Sequence, residues 1–219
     1  MTAKLDANLI IFDMDGVVLN SLEKLSSCLI DSVSNFCTSE KVFEDFKKYD
    51  LINPGLSRFD KVKYFLELQK NSTDYNQEAL FISILQEFDR LSLIARLESE
   101  IDQSVFSFDD LNVNNNLYLL SNCDNDQLKK VSAQFGLHRV FGRNLVGTPP
   151  SKDTRMDQIL STRNEINIFS ISDSESDAII ARDKKLKFVF IEKFARDKGD
   201  WCLNSELKFN NLEELRSIF

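Results

Sequence analysis

Two aspartates one residue apart are the residues best suited to chemistry in this chain of 219 residues. Asp13 and Asp15 follow the apolar run Leu9–Phe12 and lead into Gly16. A buried strand that ends in this way places both carboxylates at its carboxyl end, where ligands bind in open α/β sheets. Carboxylates this close repel each other unless a cation joins them, and Mg²⁺ prefers oxygen ligands of this kind. One aspartate could then attack phosphorus while the other transfers protons.

Polar residues of the right types recur at three later places in the chain. They are Ser121 and Asn122, then Lys152, then Asp173 and Asp177. Because the carboxyl ends of parallel strands meet at one edge of a sheet, these residues are expected to converge on the two aspartates. Each of them alone is more often a turn residue or a solvated charge. Their occurrence together, in this order, favours a shared site.

The elements that would position these residues alternate between strand and helix patterns. Apolar runs predict strands at Leu9–Phe12, Leu117–Leu120, Asn167–Ile171 and Lys187–Ile191. A helix is predicted from Asp126 to Phe135, where Gly136 would end it, and another is predicted to begin near Asp153. This alternation predicts an α/β core with a doubly wound parallel sheet.

A long helical segment interrupts the core pattern. From about residue 20 to residue 99, apolar residues recur at three- and four-residue steps, and no alternating strand pattern occurs. Asn53–Gly55 predicts a turn, after which Ser57 could cap a helix with Phe59 on its apolar face. The prediction is a core of residues 1–19 and 100–219 with an all-helical insertion of residues 20–99. The insertion's phenylalanines are expected to pack its interior.

Composition argues against several classes of protein. With 27 Lys and Arg against 35 Asp and Glu, the net charge is −8, which disfavours binding to nucleic acid. Cys28, Cys37, Cys123 and Cys202 contain no C-x-x-C pair and are expected to be reduced thiols. A single histidine, His138, makes Ser-His-Asp chemistry improbable. Neither a signal peptide nor a membrane-spanning run is evident, so a cytoplasmic protein without a membrane partner is predicted.

The four motifs resemble those of the haloacid dehalogenase (HAD) superfamily of phosphotransferases. They occur in the family's order and span nearly the whole chain outside the insertion. A helical insertion between the first and second motifs is similar to the C1 cap of the β-phosphoglucomutase and phosphoglycolate phosphatase branch. The resemblance implies a Rossmann-like core and a Mg²⁺-dependent phosphatase that works through an aspartyl phosphate.

The resemblance also implies a role for each motif residue. Asp13 matches the nucleophile, Asp15 the general acid/base, and Ser121 and Lys152 the groups that bind the phosphoryl oxygens, with Asn122 beside them. Mg²⁺ would be held by the Asp13 carboxylate, the Asp15 backbone carbonyl and Asp173. Asp177 would either be a further ligand or orient the ligands, and the second role is favoured.

Two departures from the family pattern are visible. Ser172 stands where the fourth motif usually has glycine. Pro149 and Pro150 precede Lys152, whereas in close relatives prolines often follow the lysine.

Substrate choice is expected to depend on the insertion, which could open and close on its two links near residues 20 and 99. Arg58 is the candidate for substrate binding because an arginine suits carboxylate or phosphate groups. The alternative is a helix cap at Ser57 followed by a solvated arginine. The favoured function is hydrolysis of a small phosphorylated metabolite such as a sugar phosphate. A phosphomutase and a catalytically idle binding or regulatory protein are the alternatives.

Overall fold

The computed structural model describes residues 7, 9–69, 76–112, 116–162, 167–196, 199, 201 and 207–219. Cys202 and the middle of the loop between Asn112 and Asn116 lie outside these residues. The chain divides into two compact units, one of Met1–Leu22 with Ser99–Phe219 and one of Glu23–Glu98. The two unit boundaries therefore fall beside residues 20 and 99, where the helical pattern of the sequence begins and ends.

The described elements follow one another in an order typical of an α/β core with a helical insertion. They are β1 (Leu9–Phe12), β2 (Leu19–Asn20), α1 (Leu22–Ser34), α2 (Glu40–Ile52), α3 (Arg58–Leu68), α4 (Gln77–Leu97), β3 (Glu100–Ile101), a 3₁₀ helix (Gln103–Leu111), β4 (Leu117–Asp124), α5 (Asn125–Phe135), α6 (His138–Phe141), β5 (Leu145–Thr148), α7 (Lys152–Ser161), β6 (Ile168–Ser172), α8 (Glu175–Asp183), β7 (Lys187–Ile191), β8 (Leu207–Phe209) and α9 (Leu212–Arg216).

Six of these strands form a parallel sheet in the order β5-β4-β1-β6-β7-β8. From β1 the chain builds outward through β4 and β5 on one side, and then crosses to build β6, β7 and β8 on the other. The point where this order reverses is beside β1. In open α/β sheets such a reversal leaves a crevice outside the carboxyl ends of the strands, and ligands bind there.

The central strand β1 is buried along its whole length. A continuous apolar run is what a parallel strand covered on both faces requires. At its end, the Phe12 ring meets the rings of Phe108 and Phe141 edge-on, at centroid distances of 5.1 and 5.5 Å. The strand that carries Asp13 is therefore anchored in the centre of the core.

The strands β2 and β3, which precede and follow the helical insertion in the sequence, form a short antiparallel pair within the first unit. In this pair, Leu19 of β2 lies opposite Ile101 of β3. The N–H of Asp102 donates to the carbonyl of Val18 at 2.8 Å. The two links between the units are thus held side by side, although nothing in the sequence predicted strands there.

The second unit is built from α1, α2, α3 and α4. Its core consists of Leu29, Val33, Phe46, Val62, Phe65, Leu66, Leu80, Ile84 and Phe88. Ser57 caps α3 as predicted, since its hydroxyl accepts from the N–H of Asp60 at 3.2 Å. The expectation that the phenylalanines of the insertion pack its interior is wrong for Phe59, because this residue is 37% exposed at the first turn of α3.

Comparison with the predicted elements shows close agreement in the core. The bounds of β1 and β7 are those predicted, while β4 continues to Asp124 and β6 is displaced by one residue. Helix α5 ends at Gly136, whose φ of 70° is left-handed, as predicted. The predicted α/β fold with a parallel sheet is confirmed. In the described part of the chain, no helix has the length and apolar character needed to cross a bilayer.

Candidate active site

The loop after β1 gives the two aspartates different neighbours. The N–H of Asp13 donates to the carbonyl of Ile171 at 2.8 Å, which extends the pairing of β1 with β6 by one residue. The Asp15 carboxylate accepts a hydrogen bond from the hydroxyl of Ser21 at 2.6 Å. The first carboxylate is thus fixed over the strand ends, and the second is oriented by a serine at the start of the insertion link.

Lys152 lies between two carboxylates. Its Nζ is 2.9 Å from Oδ1 of Asp13 and 2.5 Å from Oδ2 of Asp177. Burial disfavours the charged form of this lysine, but the attraction of the two carboxylates is larger in sum and raises the pKa of Lys152 above its usual range. The structure therefore places Lys152 in direct contact with Asp13, as the sequence predicted that the two residues would converge.

The carboxyl groups of Asp13 and Asp173 hold protons more tightly than ordinary aspartates. Burial raises the pKa of Asp13 from 3.8 to about 6, with Lys152 opposing the shift and Asp177 adding to it. Burial and the nearby charges of Asp13 and Asp177 raise the pKa of Asp173 well above its usual range. These buried carboxylates repel one another, so a cation beside them would be strongly favoured.

Asp177 is held by a second contact, which comes from Ser172. The Ser172 hydroxyl donates to Oδ2 of Asp177 at 2.5 Å, and it lies 3.5 Å from Oδ2 of Asp13. The same Asp177 oxygen also receives Lys152. Lys152 and Ser172 thus fix the orientation of the Asp177 carboxylate, and whether Asp177 also binds a metal stays a prediction.

Asp173 approaches the turn after β1 so closely that only glycine fits opposite it. A Cβ on Gly16 would lie 2.4 Å from Cγ of Asp173 and 2.5 and 2.6 Å from its carboxylate oxygens. Gly16 also has a left-handed φ of 87°. The first and fourth motifs thus meet at a contact between backbone and carboxylate.

Replacement of Gly16 by alanine is expected to displace the Asp173 carboxylate. Gly142→Ala is a matched control, because Gly142 also has a positive φ of 57° but no atom within 4 Å of an added Cβ. For the phosphatase activity that the motif resemblance implies, Gly16→Ala should lower kcat/KM by roughly 100-fold, since displacements of about 1 Å have effects of that size. Gly142→Ala should keep kcat/KM near the wild-type value. Equal losses in both variants would show that backbone strain alone is responsible.

Ser121 and Asn122 lie near the end of β4, the strand next to β1. Ser121 is fully buried, and its hydroxyl oxygen accepts from the N–H of Cys123 at 3.1 Å. A hydroxyl that accepts one bond retains its own hydrogen to donate. Asn122 is exposed, and its side-chain oxygen accepts from Arg155 at 3.1 Å.

The predicted Mg²⁺ site can be tested against the donor atoms. In the described segments, no three His, Cys, Asp or Glu side chains are grouped so that they could hold a metal ion. The predicted site needs only two carboxylates, those of Asp13 and Asp173, because Asp15 would contribute its backbone carbonyl. The charges of these two buried carboxylates repel each other, and Mg²⁺ prefers carboxylate and carbonyl oxygens as ligands. The residues therefore fit Mg²⁺ held by oxygen ligands.

The architecture is shared with many solved structures. A haloacid dehalogenase-like hydrolase from Streptococcus pneumoniae superposes with a TM-score of 0.69 at 15% identity, over 96% of this chain and 97% of the other. A protein from Lactobacillus plantarum, provisionally assigned as a phosphoglycolate phosphatase, gives 0.72 at 12% identity over 98% and 100%. A protein from Thermotoga maritima, provisionally assigned as a β-phosphoglucomutase, gives 0.62 at 13% identity over 96% and 97%.

The chain has the HAD-like fold. The resemblance seen in the motifs is thereby confirmed at the level of architecture, including the helical insertion. No protein-family model matches the sequence, and no curated protein matches it either. Ser172 and the two prolines before Lys152 are the positions at which this chain departs from the motifs that it resembles.

Arg58 has a structural setting that the sequence did not predict. Its Nη2 is 3.4 Å from Oδ1 of Asp89, and its side chain is 12% exposed. The guanidinium also lies over the rings of Phe59 and Phe88, at 4.8 and 5.6 Å from their centroids. The alternative of a solvated arginine is therefore wrong, and substrate binding by Arg58 stays a prediction.

Sequence reasoning missed Arg155, which is the largest of the fully buried side chains in the described residues. It lies on α7, three residues after Lys152, and is 1% exposed. A signal was present, because Lys152, Arg155, Met156 and Ile159 form the i, i+3, i+4, i+7 stripe of a buried helix face. Two charged residues on such a stripe indicate polar partners inside the protein.

Proposed function

We propose that this protein is a Mg²⁺-dependent phosphatase that hydrolyses a small phosphorylated metabolite through an aspartyl phosphate on Asp13. The observation that carries the proposal is the ammonium group of Lys152, 2.9 Å from the Asp13 carboxylate at the end of the central strand. A transferring phosphoryl group spreads negative charge over its oxygens, so a fixed cation beside the nucleophile supplies what that transfer requires.

In the proposed first step, an Asp13 carboxylate oxygen forms a bond to phosphorus while the bond from phosphorus to the leaving oxygen breaks. Asp15 gives its proton to that leaving oxygen, and the Ser21 hydrogen bond keeps the acid oriented. In the second step Asp15 takes a proton from the water that attacks the aspartyl phosphate, which releases inorganic phosphate and restores the Asp13 carboxylate.

Other residues hold charge and geometry during both steps. Lys152 offsets charge on Asp13 and on the phosphoryl oxygens, while Asp177 and Ser172 keep the ammonium in place. Ser121 would donate its hydroxyl hydrogen to a phosphoryl oxygen. Bound Mg²⁺, held by Asp13, the Asp15 carbonyl and Asp173, would supply further charge neutralisation.

The second candidate function is a phosphomutase, and the neighbour assigned as a β-phosphoglucomutase favours its inclusion. Both reactions need Asp13 and Asp15, so only the products separate them. Incubation with a panel of sugar phosphates and other phosphorylated metabolites in Mg²⁺ should release inorganic phosphate in proportion to the substrate lost. Isomerised sugar phosphate that accumulates without phosphate release would establish the mutase. No turnover with any member of the panel would favour an idle binding protein.

Removal of the metal should abolish activity and lower stability. In EDTA, phosphate release is expected to stop, and added Mg²⁺ should restore it and raise Tm. The rise in Tm should be larger at pH 8 than at pH 5, because protons compete with the metal at Asp13, whose pKa is about 6. Asp173→Asn should lose most of the rise. Recovery of activity with Zn²⁺ alone would contradict the oxygen-ligand assignment.

Substrate selection by the helical unit, with Arg58 as its binding residue, belongs to the proposal as well. So does a cytoplasmic location with a small phosphorylated metabolite as the partner. A guanidinium can pair with a carboxylate or phosphate on the part of the substrate that leaves. Because Arg58 also pairs with Asp89, the matched variant Asp89→Asn separates loss of that ion pair from loss of the guanidinium.

A further inference from the structure

Arg155 is a fully charged side chain in the interior of the first unit. Its guanidinium donates from Nε to the carbonyls of Pro150 and Ser151 at 2.8 and 3.3 Å. Nη1 donates to the carbonyls of Ser121 and Val146 at 2.6 and 3.0 Å. An arginine cannot lose its proton in a protein, and a buried charge is costly unless it is hydrogen-bonded. The hydrogen bonds to these carbonyls therefore offset the cost of burying the Arg155 charge.

These acceptors belong to separate segments that carry the candidate site. Ser121 lies in β4, 34 residues from Arg155 in sequence, and Val146 lies in β5. Pro150 and Ser151 immediately precede Lys152, and Ser151 caps α7. One planar group with a fixed arrangement of donors thus ties the serine motif to the lysine motif.

The contact with Ser121 also orients the peptide group between Ser121 and Asn122. In a trans peptide the C=O and the N–H point in opposite directions. Because Arg155 holds the carbonyl of Ser121, the N–H of Asn122 is directed away from Arg155. A cation at the carbonyl end polarises the peptide and makes that N–H a stronger donor.

The contact with the Asn122 side chain has a similar consequence. Nη2 of Arg155 donates to Oδ1 of Asn122, which identifies that atom as the oxygen of the amide. The amide nitrogen must therefore lie on the other side of the group, and Asn122 is exposed. Arg155 therefore fixes the orientation of the Asn122 amide.

We propose that Arg155 is a positioning residue for phosphate binding, which holds Ser121 and Asn122 in register with Lys152. This inference rests on the proposed phosphatase function. An apolar residue at this place on the buried face of α7 would pack as Met156 does, but it would leave the carbonyl and amide groups unaligned.

The test compares Arg155→Lys and Arg155→Met with Met156→Ala. Met156 is 2% exposed on the same helix face and makes no hydrogen bond through its side chain, so its truncation should lower stability while the hydrogen bonds of Arg155 stay in place. Each variant is assayed well below its Tm with p-nitrophenyl phosphate, and the affinity for inorganic phosphate in Mg²⁺ is measured by calorimetry. Both Arg155 variants should lose roughly 100-fold in kcat/KM and bind phosphate about 10-fold more weakly. Met156→Ala should stay within about threefold of wild type on both measures.

Folded Arg155 variants with wild-type phosphate affinity and kcat/KM would overturn the proposal, and so would equal losses in Met156→Ala. If the Arg155 variants do not fold, Asn122→Asp provides the test from an exposed position. Its carboxylate should pair with Arg155 and raise Tm, while its outer oxygen should repel phosphate and weaken phosphate binding about 10-fold or more. A lower Tm with unchanged phosphate affinity would overturn the proposal.

Failure of this inference is distinguishable from failure of the proposed function. A wild-type protein that binds phosphate but hydrolyses no phosphate ester would refute the phosphatase while the binding measurements still test Arg155. A wild-type protein that hydrolyses esters, with Arg155 variants that do so equally well, would refute the positioning role alone.

Discussion

Asp13→Asn is expected to abolish turnover, with a loss in kcat on the order of 10⁴-fold or more, because a covalent nucleophile has no substitute. The substitution preserves the shape of the side chain. Lys152 keeps its contact with Asp177, so the fold should survive. The measurement is phosphate release by purified variant and wild type, together with Tm for both.

The control for Asp13→Asn is Asp183→Asn, which changes an exposed aspartate paired with Arg182 on α8. It should retain wild-type turnover, which excludes a general effect of removing negative charge. Near-normal phosphate release by Asp13→Asn would remove the proposed mechanism. A residual rate that varies between preparations would indicate a contaminating phosphatase, and repurification should eliminate it.

Lys152→Met is expected to have the second largest effect, and it should act on stability as well as on turnover. Breaking a buried ion pair by removing one partner costs about 3–5 kcal/mol, because the other charge stays buried. Here the side chain of Lys152 is 8% exposed, and two carboxylates, those of Asp13 and Asp177, would lose their cation. Turnover should fall by on the order of 10³-fold, as expected for loss of a group that stabilises transferring charge.

The stability loss in Lys152→Met should depend on pH. The pKa of Asp13 in the folded wild type is raised from 3.8 to about 6, and loss of the lysine would raise it further. A carboxyl whose pKa is raised by folding is stabilising when protonated, so stability falls as pH rises from the unfolded value through the folded value. In EDTA, the difference in Tm between wild type and Lys152→Met should therefore be small at pH 5 and large at pH 8. Lys129→Met, an exposed control, should show no such trend.

Much of the fold could be predicted because its signals are local. The run Leu9–Phe12 is apolar throughout, which a buried parallel strand requires, and Gly136 ends α5 through its own left-handed backbone. By contrast, β5 has four residues that include a glycine and a threonine, so it carries almost no apolar pattern. The three-residue edge strand β8 is defined by its pairing with β7, which is a long-range contact.

The candidate site shows the same division between local and long-range information. Asp13 and Asp15 could be found because they directly follow a strong strand pattern, and Lys152 because of its order relative to the other motifs. The contact of Ser172 with Asp177 depends on how a strand meets a helix, and the partners of Arg155 come from β4 and β5. The sequence shows which side chains are polar or charged, but these contacts could be identified only from the folded structure.

Phe59 shows where periodicity alone misleads. The residues Phe59, Val62, Phe65 and Leu66 are spaced as one helix face, and the last three are buried. Phe59 lies in the first turn of α3, where the helix begins at the surface, and the Arg58 guanidinium covers its ring instead. Spacing predicts a direction around the helix axis but not how far along that axis the core extends.

The most direct test of the central claim is chemical trapping of the aspartyl phosphate. Wild-type protein mixed with a hydrolysed substrate in Mg²⁺ is quenched in acid and reduced with borohydride, which converts an acyl phosphate to the alcohol and leaves free carboxylates unchanged. Peptide mass spectrometry should then find homoserine at position 13 and aspartate at position 15. Substrate turnover with unmodified Asp13, or with homoserine at any other position, would contradict the account.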